Sequence, residues 1–480
     1  MQNILNSSFV YRFFAVIGSW FGNQWRGSRV IGRFLSPGYG EAASQSSVFT
    51  RIWIGFHRLL CRFFEILRLN RLLRGSIFTK PFIWCFCTVV LAPILPTMPV
   101  LGLSLVSVGS LLLAFACDRE KELAYSPINK YILLFALVYI VSTLTSVTVS
   151  GSLFGGSLTT LFILFAIVVQ NSVTTRRQLD VLIYAFVLSG AAVSAYGIYQ
   201  YLFGAFVASG WVDDSMFSAI GIRVYSTLGN PNVLSQYLLL VIPLTAACIM
   251  TVKGLLGKLL FIGCFGTQLI CMLLTFTRGG WLGLILAAAV FLVMLDRRLI
   301  IVGIIGLILL YVMLPEVILD RFFSIGNTED GSTSFRIFIW LGTLSMLRDY
   351  WFSGIGPGTE AYNRVYPLYS FSAIHSPHSH NLYLQIIVET GISGIVMFLV
   401  ILFAFFRSLF STVSREVSKS SKIMQIAVIS SMVGFLIQGA TDYSFYNYRV
   451  TLAFWAALGL GVLIGRRETL ISAAKGGEAN

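Results

Sequence analysis

Residues 257–295 read GKLLFIGCFGTQLICMLLTFTRGGWLGLILAAAVFLVML: two apolar runs, 257–276 and 279–295, joined by Thr277-Arg278. Each run approaches the ~20 residues a helix needs to cross a roughly 30 Å hydrocarbon layer. The joint carries the only full charge between Lys258 and Asp296, followed at once by two glycines that permit a tight tip. The stretch therefore reads as a transmembrane hairpin. Scanning outward for similar runs gives twelve expected spans: 82–97, 99–117, 129–148, 153–170, 179–203, 233–252, 257–276, 279–295, 298–314, 382–407, 423–441 and 447–465. The expected fold class is an all-α polytopic membrane protein. The segment Pro96-Thr97-Met98-Pro99 reads as the turn of the first hairpin.

Composition agrees. Of 480 residues, 56% are hydrophobic and 11% charged, and the mean hydropathy is +0.82. A soluble domain carries about 25% charged residues, so a water-soluble, disordered or collagen-like chain is excluded. The net charge of +14 follows the membrane and gives no reason to expect nucleic acid. With twelve spans, 27 of the 34 Lys and Arg fall on the side of the termini and 7 on the other, whereas acidic residues divide evenly. The positive-inside rule then places both termini in the cytoplasm and the loops 204–232 and 315–381 outside. All seven outer basic residues are arginine.

The expected organisation is a basic N-terminal region 1–81, spans 82–314, an outer loop 315–381, spans 382–465 and a tail 466–480. Residues 51–75 have arginines at helical spacing among aromatics and leucines, as in a helix lying on an anionic leaflet. No cleavable signal is expected, because the run 9–21 is short and holds Arg12. The seven cysteines avoid the outer loops, so no disulfide framework is expected there.

With minimal cytoplasmic loops, any chemistry must use the outer loops and the membrane boundary. Three of the four histidines, His375, His378 and His380, lie within six residues at the entrance of the tenth span. The readings are proton transfer, a loop in which Ser379 or Asn381 caps a helix, or a three-imidazole metal site that lacks a completing carboxylate. Arg278 at the hairpin tip is either a snorkelling anchor or a fork for phosphate. Arg223 precedes Gly229-Asn230-Pro231-Asn232, whose asparagines read as a turn and helix start. Residues 335–348 suit a surface helix with Arg336 on its polar edge. The turn Gly354-Ile-Gly-Pro-Gly358 is weak evidence for phosphate binding, lacking the Lys-Ser/Thr of a P-loop. Glu389, two turns into a span, is costly unless paired or functional, and Asp442, Tyr443 and Tyr446 are placed to share its cavity.

These residues resemble the O-antigen ligase / O-antigen polymerase superfamily of bacterial membrane glycosyltransferases. The most specific match is His380-Asn381, nine residues, then Gly391-Ile-Ser-Gly394, joined by Arg278-Gly-Gly-Trp281, Arg223 with 229–232, and Arg336–Trp340 with the 354–358 turn. The resemblance covers about residues 82–465. It implies a metal-independent, cofactor-free and inverting transfer at the outer face of the bacterial cytoplasmic membrane. The donor would be a glycan on a polyprenyl diphosphate, and the acceptor a lipid- or polymer-linked sugar, within a polysaccharide-assembly complex. It implies His380 as general base and Arg223, Arg278 and Arg336 on the diphosphate; His378, Asn381, Glu389 and Tyr225 are the candidate accessory residues. The competing expectation is a secondary transporter or lipid-oligosaccharide flippase, which forms no bond.

Overall fold

The computed structural model describes residues 48–124, 126–204, 222–326, 331–371, 374–413 and 418–465. Among these there are seventeen α-helices and no strand, as expected where lipid leaves the backbone only itself to bond to. They are α1 (Val48–Ile66), α2 (Leu69–Leu73), α3 (Pro81–Leu91), α4 (Thr97–Ala116), α5 (Asn129–Leu144), α6 (Val149–Ser172), α7 (Arg176–Phe203), α8 (Pro231–Thr251), α9 (Leu255–Leu274), α10 (Arg278–Leu295), α11 (Leu299–Met313), α12 (Glu316–Phe323), α13 (Gly331–Tyr350), α14 (Thr359–Val365), α15 (Leu382–Val413), α16 (Lys419–Gly439) and α17 (Tyr448–Gly465). Every expected span falls on one of these helices. Nine of them are long and apolar enough to cross a membrane, and α3, α5 and α11 are shorter apolar helices. The protein is polytopic.

Helices α8, α16 and α17 form the centre, with α10 and α6 packed against them. The α10–α16 crossing works because Gly283 faces Gly434. A methyl on Gly283 would stand 2.7 Å from the Gly434 carbonyl oxygen. Small residues let two backbones touch, which is how helices gain contact where lipid offers no hydrophobic drive.

Two local expectations shift. The first hairpin turns at Ala92–Pro96, and α4 already begins at Thr97. Pro99 falls in the first turn of α4, where a missing N–H costs little. The basic segment 51–75 is not one helix: Arg68 adopts φ +55° and separates α1 from α2.

The loop 315–381 is a folded unit. Ile339, Met346, Ile355, Tyr362 and Tyr366 form a small core of their own with Val388 of α15. Helix α13 is longer than the expected 335–348. Helix α15 breaks at Gly391, whose φ of 65° and ψ of −167° suit only glycine. A methyl there would strike the Phe352 carbonyl. The break frees carbonyls inside the bundle, and the 354–358 turn satisfies them: Ile355 N–H donates to Val388 O at 2.8 Å and Gly356 N–H to Glu389 O at 3.1 Å. That backbone role accounts for the glycine-rich turn, and none of its residues lines the arginine cavity described below.

Candidate active site

Four arginines line one cavity of about 330 Å³: Arg223, Arg278, Arg321 and Arg336. One loop and three helices supply them. Arg223 leads into α8, Arg278 opens α10, Arg321 lies in α12 and Arg336 in α13. The first loop and the large loop thus meet at one end of the bundle. The cavity also holds Asn232, Thr277, Trp340 and Gln438, and among the described residues its only acidic lining residue is Asp442.

Named contacts aim three of these guanidinium groups, those of Arg223, Arg278 and Arg336. Arg223 is buried; its Nε donates to Thr275 O at 2.9 Å, and its Nη2 donates to Asn232 Oδ1 and to Thr277 Oγ1, both at 3.1 Å. Asn232 therefore does more than start a helix. Asn230 is the cap, accepting from Asn232 N–H at 2.8 Å, while the Asn232 carboxamide positions Arg223. Arg278 donates through Nη1 to Ser324 O and Oγ at 2.9 and 3.0 Å, and through Nη2 to Ser332 Oγ at 2.6 Å. It thereby ties the start of α10 to both ends of the segment between α12 and α13. Arg336 donates to Ser332 O at 3.2 Å, and its Nε is buried without a hydrogen-bond partner among the described residues.

Burial and the charges of Arg321, Arg336 and Arg278 push Arg223 down to about 9, against a smaller opposing pull from Asp442. Even so lowered, the Arg223 guanidinium keeps its charge at neutral pH. Like charges converging in a half-enclosed pocket repel, and among the described lining residues one carboxylate faces four cations. The N-terminus of α10, with Thr277 and Gly279 in the wall, adds the positive end of a helix dipole. An anion of more than one charge would complement this described lining.

At its edge stands a histidine–aspartate pair. His380 Nδ1 lies 3.1 Å from Asp442 Oδ1. Burial opposes the Asp442 charge, but the hydrogen bond and charge of His380 together with Arg336 outweigh it and hold the carboxyl below its ordinary range. An ionised carboxylate only accepts, so Nδ1 carries a proton towards Asp442, and in the neutral ring Nε2 is the nitrogen that can accept one. The imidazole side chain is 22% exposed, enough for a substrate to reach it.

The chain around His380 is held tightly. His380 has φ +48°, a left-handed conformation that a non-glycine residue adopts at a cost. Its N–H donates to His378 Nδ1 at 3.2 Å, and Trp340 Nε1 donates to its carbonyl at 3.4 Å. His378 is buried, stacks on Tyr446 at 4.7 Å between centroids, and burial followed by the neighbouring His380 charge lowers it to about 3. Asn381 caps α15, accepting from Tyr383 and Leu384 N–H at 3.0 Å each, so of the two expected caps it is the one used. His375 lies exposed, apart from the pair.

Glu389 stands behind this loop. It accepts from Tyr443 Oη at 3.1 Å, Tyr139 Oη at 3.3 Å and Gln385 Nε2 at 3.1 Å, while Gln385 Oε1 accepts from Ser379 N–H at 2.8 Å. Tyr443, Tyr446 and Glu389 line a separate small cavity, as expected of them, but Asp442 faces the arginines instead. Tyr225 lies outside the arginine cavity and lines an open pocket with Tyr196, Gln200 and Arg449.

Sequence reasoning missed two members. Arg321 was only one of seven outer arginines, although a charged residue on the apolar stretch EVILDRFF was a usable signal. Asp442 was noticed but not paired with His380, 62 residues away. The absence of a carboxylate near the histidines is corrected as well: donor atoms of His378, His380 and Asp442 lie within 4.8 Å of one another. These three could offer a cation ligands, but the short contacts already made by both Nδ1 atoms would have to yield.

Residues 263–399 match the family described as O-Antigen ligase. The match includes Arg278, Arg321, Arg336 and the His380 signature, and stops short of Arg223 and Asp442. Among curated proteins none matches the chain.

Proposed function

From the support this match gives to the O-antigen ligase/polymerase superfamily, we propose that the protein transfers a glycan from a polyprenyl diphosphate to a sugar hydroxyl, at the outer face of the bacterial cytoplasmic membrane. The observation that carries the reading is the convergence of four arginines on one cavity where Asp442, the one acidic lining residue among those described, pairs with His380. The diphosphate lies among Arg223, Arg278, Arg321 and Arg336, with the lipid tail leaving towards the membrane. As the anomeric C–O bond breaks, charge grows on the diphosphate, and the arginines stabilise it. Each such contact is worth on the order of 3 kcal/mol in a preorganised site.

His380 Nε2 accepts the proton of the attacking hydroxyl, and the Asp442 carboxylate stabilises the imidazolium that results. Attack opposite the departing diphosphate inverts the anomeric configuration. His378, neutral and buried, fixes the backbone of His380. Asn381 holds the start of α15, and Glu389 braces the histidine loop through Gln385. Tyr225 sits beside Arg223 in the chain but outside the diphosphate pocket. The step needs no metal or organic cofactor.

Purified protein supplied with a polyprenyl-diphosphate glycan and an acceptor should yield a new glycosidic bond and free polyprenyl diphosphate. Movement of the intact lipid-linked glycan between leaflets, with no bond formed, would return the transporter reading.

A further inference from the structure

At the other end of the bundle lies a second basic cavity, outside the site described above. Helix α4 starts beside the outer pocket, where Pro96 and Thr97 meet Tyr225 and Arg449. Its 20 residues span about 30 Å, a full hydrocarbon thickness, before Cys117–Arg119 turn away. Against that turn packs α1. His57 Nε2 lies 3.0 Å from Phe115 O, the Cys61 thiol donates to the same carbonyl, and Trp53 meets the Phe115 ring edge-on at 5.0 Å.

Helix α1 has three faces. Trp53, His57 and Cys61 form the packing face. Val48, Ile52, Phe56, Leu59, Phe63 and Ile66 recur every three or four residues and are all exposed, between 45% and 71%. An apolar stripe of this kind, on a helix joined to the end of a transmembrane bundle, lies in lipid at the interface. The third flank carries Arg58 and Arg62, one turn apart. With His57, Cys61 and Arg119 they line a crevice of about 420 Å³. Arg119 is paired with Glu65, but Arg58 and Arg62 make no hydrogen bond or ion pair among the described residues.

Two guanidinium groups without an acidic partner therefore face one crevice at headgroup depth, beside a stripe that anchors acyl chains. We propose that this crevice binds the phosphate headgroup of an anionic phospholipid, in the leaflet opposite the glycan cavity. The guanidinium forks match phosphate oxygens, and the apolar stripe takes the chains of the same lipid. This favours a lipid over free phosphate, which has no use for the stripe.

The test titrates the full chain in detergent with phosphatidylglycerol or phosphatidylcholine and counts bound lipid by native mass spectrometry. Phosphatidylglycerol should bind at least about tenfold more tightly, and Arg58→Gln/Arg62→Gln should cut that affinity about thirtyfold while leaving phosphatidylcholine unchanged. Arg51→Gln, on the same flank but outside the crevice, should cost less than about threefold. Equal affinity for the two lipids, or an unaffected double variant, overturns the site. A loss with Arg51→Gln as large as with the pair would mean diffuse surface attraction and also overturns it. Displacement of phosphatidylglycerol by millimolar inorganic phosphate would assign the crevice to free phosphate and defeat the lipid reading.

Discussion

Replacing Asp442 by asparagine isolates one physical quantity, the charge behind the histidine. The backbone N–H of Tyr443 donates to Asp442 Oδ1 at 2.9 Å, and the same oxygen faces His380 Nδ1 at 3.1 Å. In Asp442→Asn an amide NH2 turned that way would oppose the Tyr443 N–H, so the amide oxygen takes the position. His380 then keeps its partner, orientation and tautomer, and only the negative charge is lost. Hydrogen bonds to charged groups contribute about 1.5–3 kcal/mol against about 0.5–1.5 for neutral ones, a difference of roughly tenfold in rate. Coulomb attraction of an imidazolium at this distance, at an effective dielectric of about 20, sets an upper limit of about 5 kcal/mol before the cost of burying the carboxylate is subtracted. The expected fall in kcat is therefore between about tenfold and a hundredfold. Asp442→Ala also releases the ring and should approach the full value of a general base, about 10²–10⁴-fold. Because removing a carboxylate from beside the four arginines only makes the pocket more positive, neither variant should weaken donor binding. The assay is steady-state transfer by purified protein, with donor KM and kcat separated. An Asp442→Asn enzyme with unchanged kcat, or variants that raise donor KM and spare kcat, would refute the reasoning.

Other perturbations reach other parts of the account. Arg321→Gln should lower kcat/KM about a hundredfold, as Arg278→Lys should, because an ammonium cannot reproduce the two-pronged contact; wild-type kinetics in Arg321→Gln would remove it from the diphosphate pocket. His378 is lowered from the ordinary 6.5 to about 3, so below pH 6.5 the unfolded chain takes up a proton that the folded one refuses, and stability falls. Between pH 6.5 and 5 the loss is about 2 kcal/mol, and thermal midpoints of His378→Gln should show a shallower decline over that window than those of the unsubstituted protein; equal slopes would contradict the buried, neutral imidazole. Gly391→Ala should cost several kcal/mol through its positive φ and the collision with Phe352 O, seen as loss of folded protein in detergent; a stable variant would mean that α15 does not break there. Transfer should survive EDTA, and activity lost to chelation and restored by zinc would recast His378, His380 and Asp442 as a metal centre.

Much of the architecture was legible because lipid makes it so. An apolar run such as 279–295 has few alternatives to a helix, and the runs coincide with helices throughout. What failed were details decided by neighbours. Pro99 reads as a turn until it is seen that a helix accepts proline in its first turn. The 354–358 turn offers only weak evidence of a ligand loop in the sequence, and its backbone task, bonding carbonyls exposed by the break at Gly391, shows only in the fold. The site was half legible. Arg223, Arg278, Arg336 and His380 carried local signatures. Asp442 and Arg321 did not, since a carboxylate in a short loop and an arginine in an eight-residue helix gain meaning only from what they face across the bundle. The reading 1–81 as one basic region extends over 1–47, which lie outside the described residues.

The central claim is that an imidazole removes the acceptor proton while the arginines hold the diphosphate, two tasks on separate groups. His380→Ala divides them most directly. Measured on purified, folded protein, it should bind the polyprenyl-diphosphate donor with affinity close to that of the unsubstituted chain and form no product, a loss of at least about a hundredfold. Normal product formation by that variant, or a loss explained entirely by absent donor binding, would contradict the account.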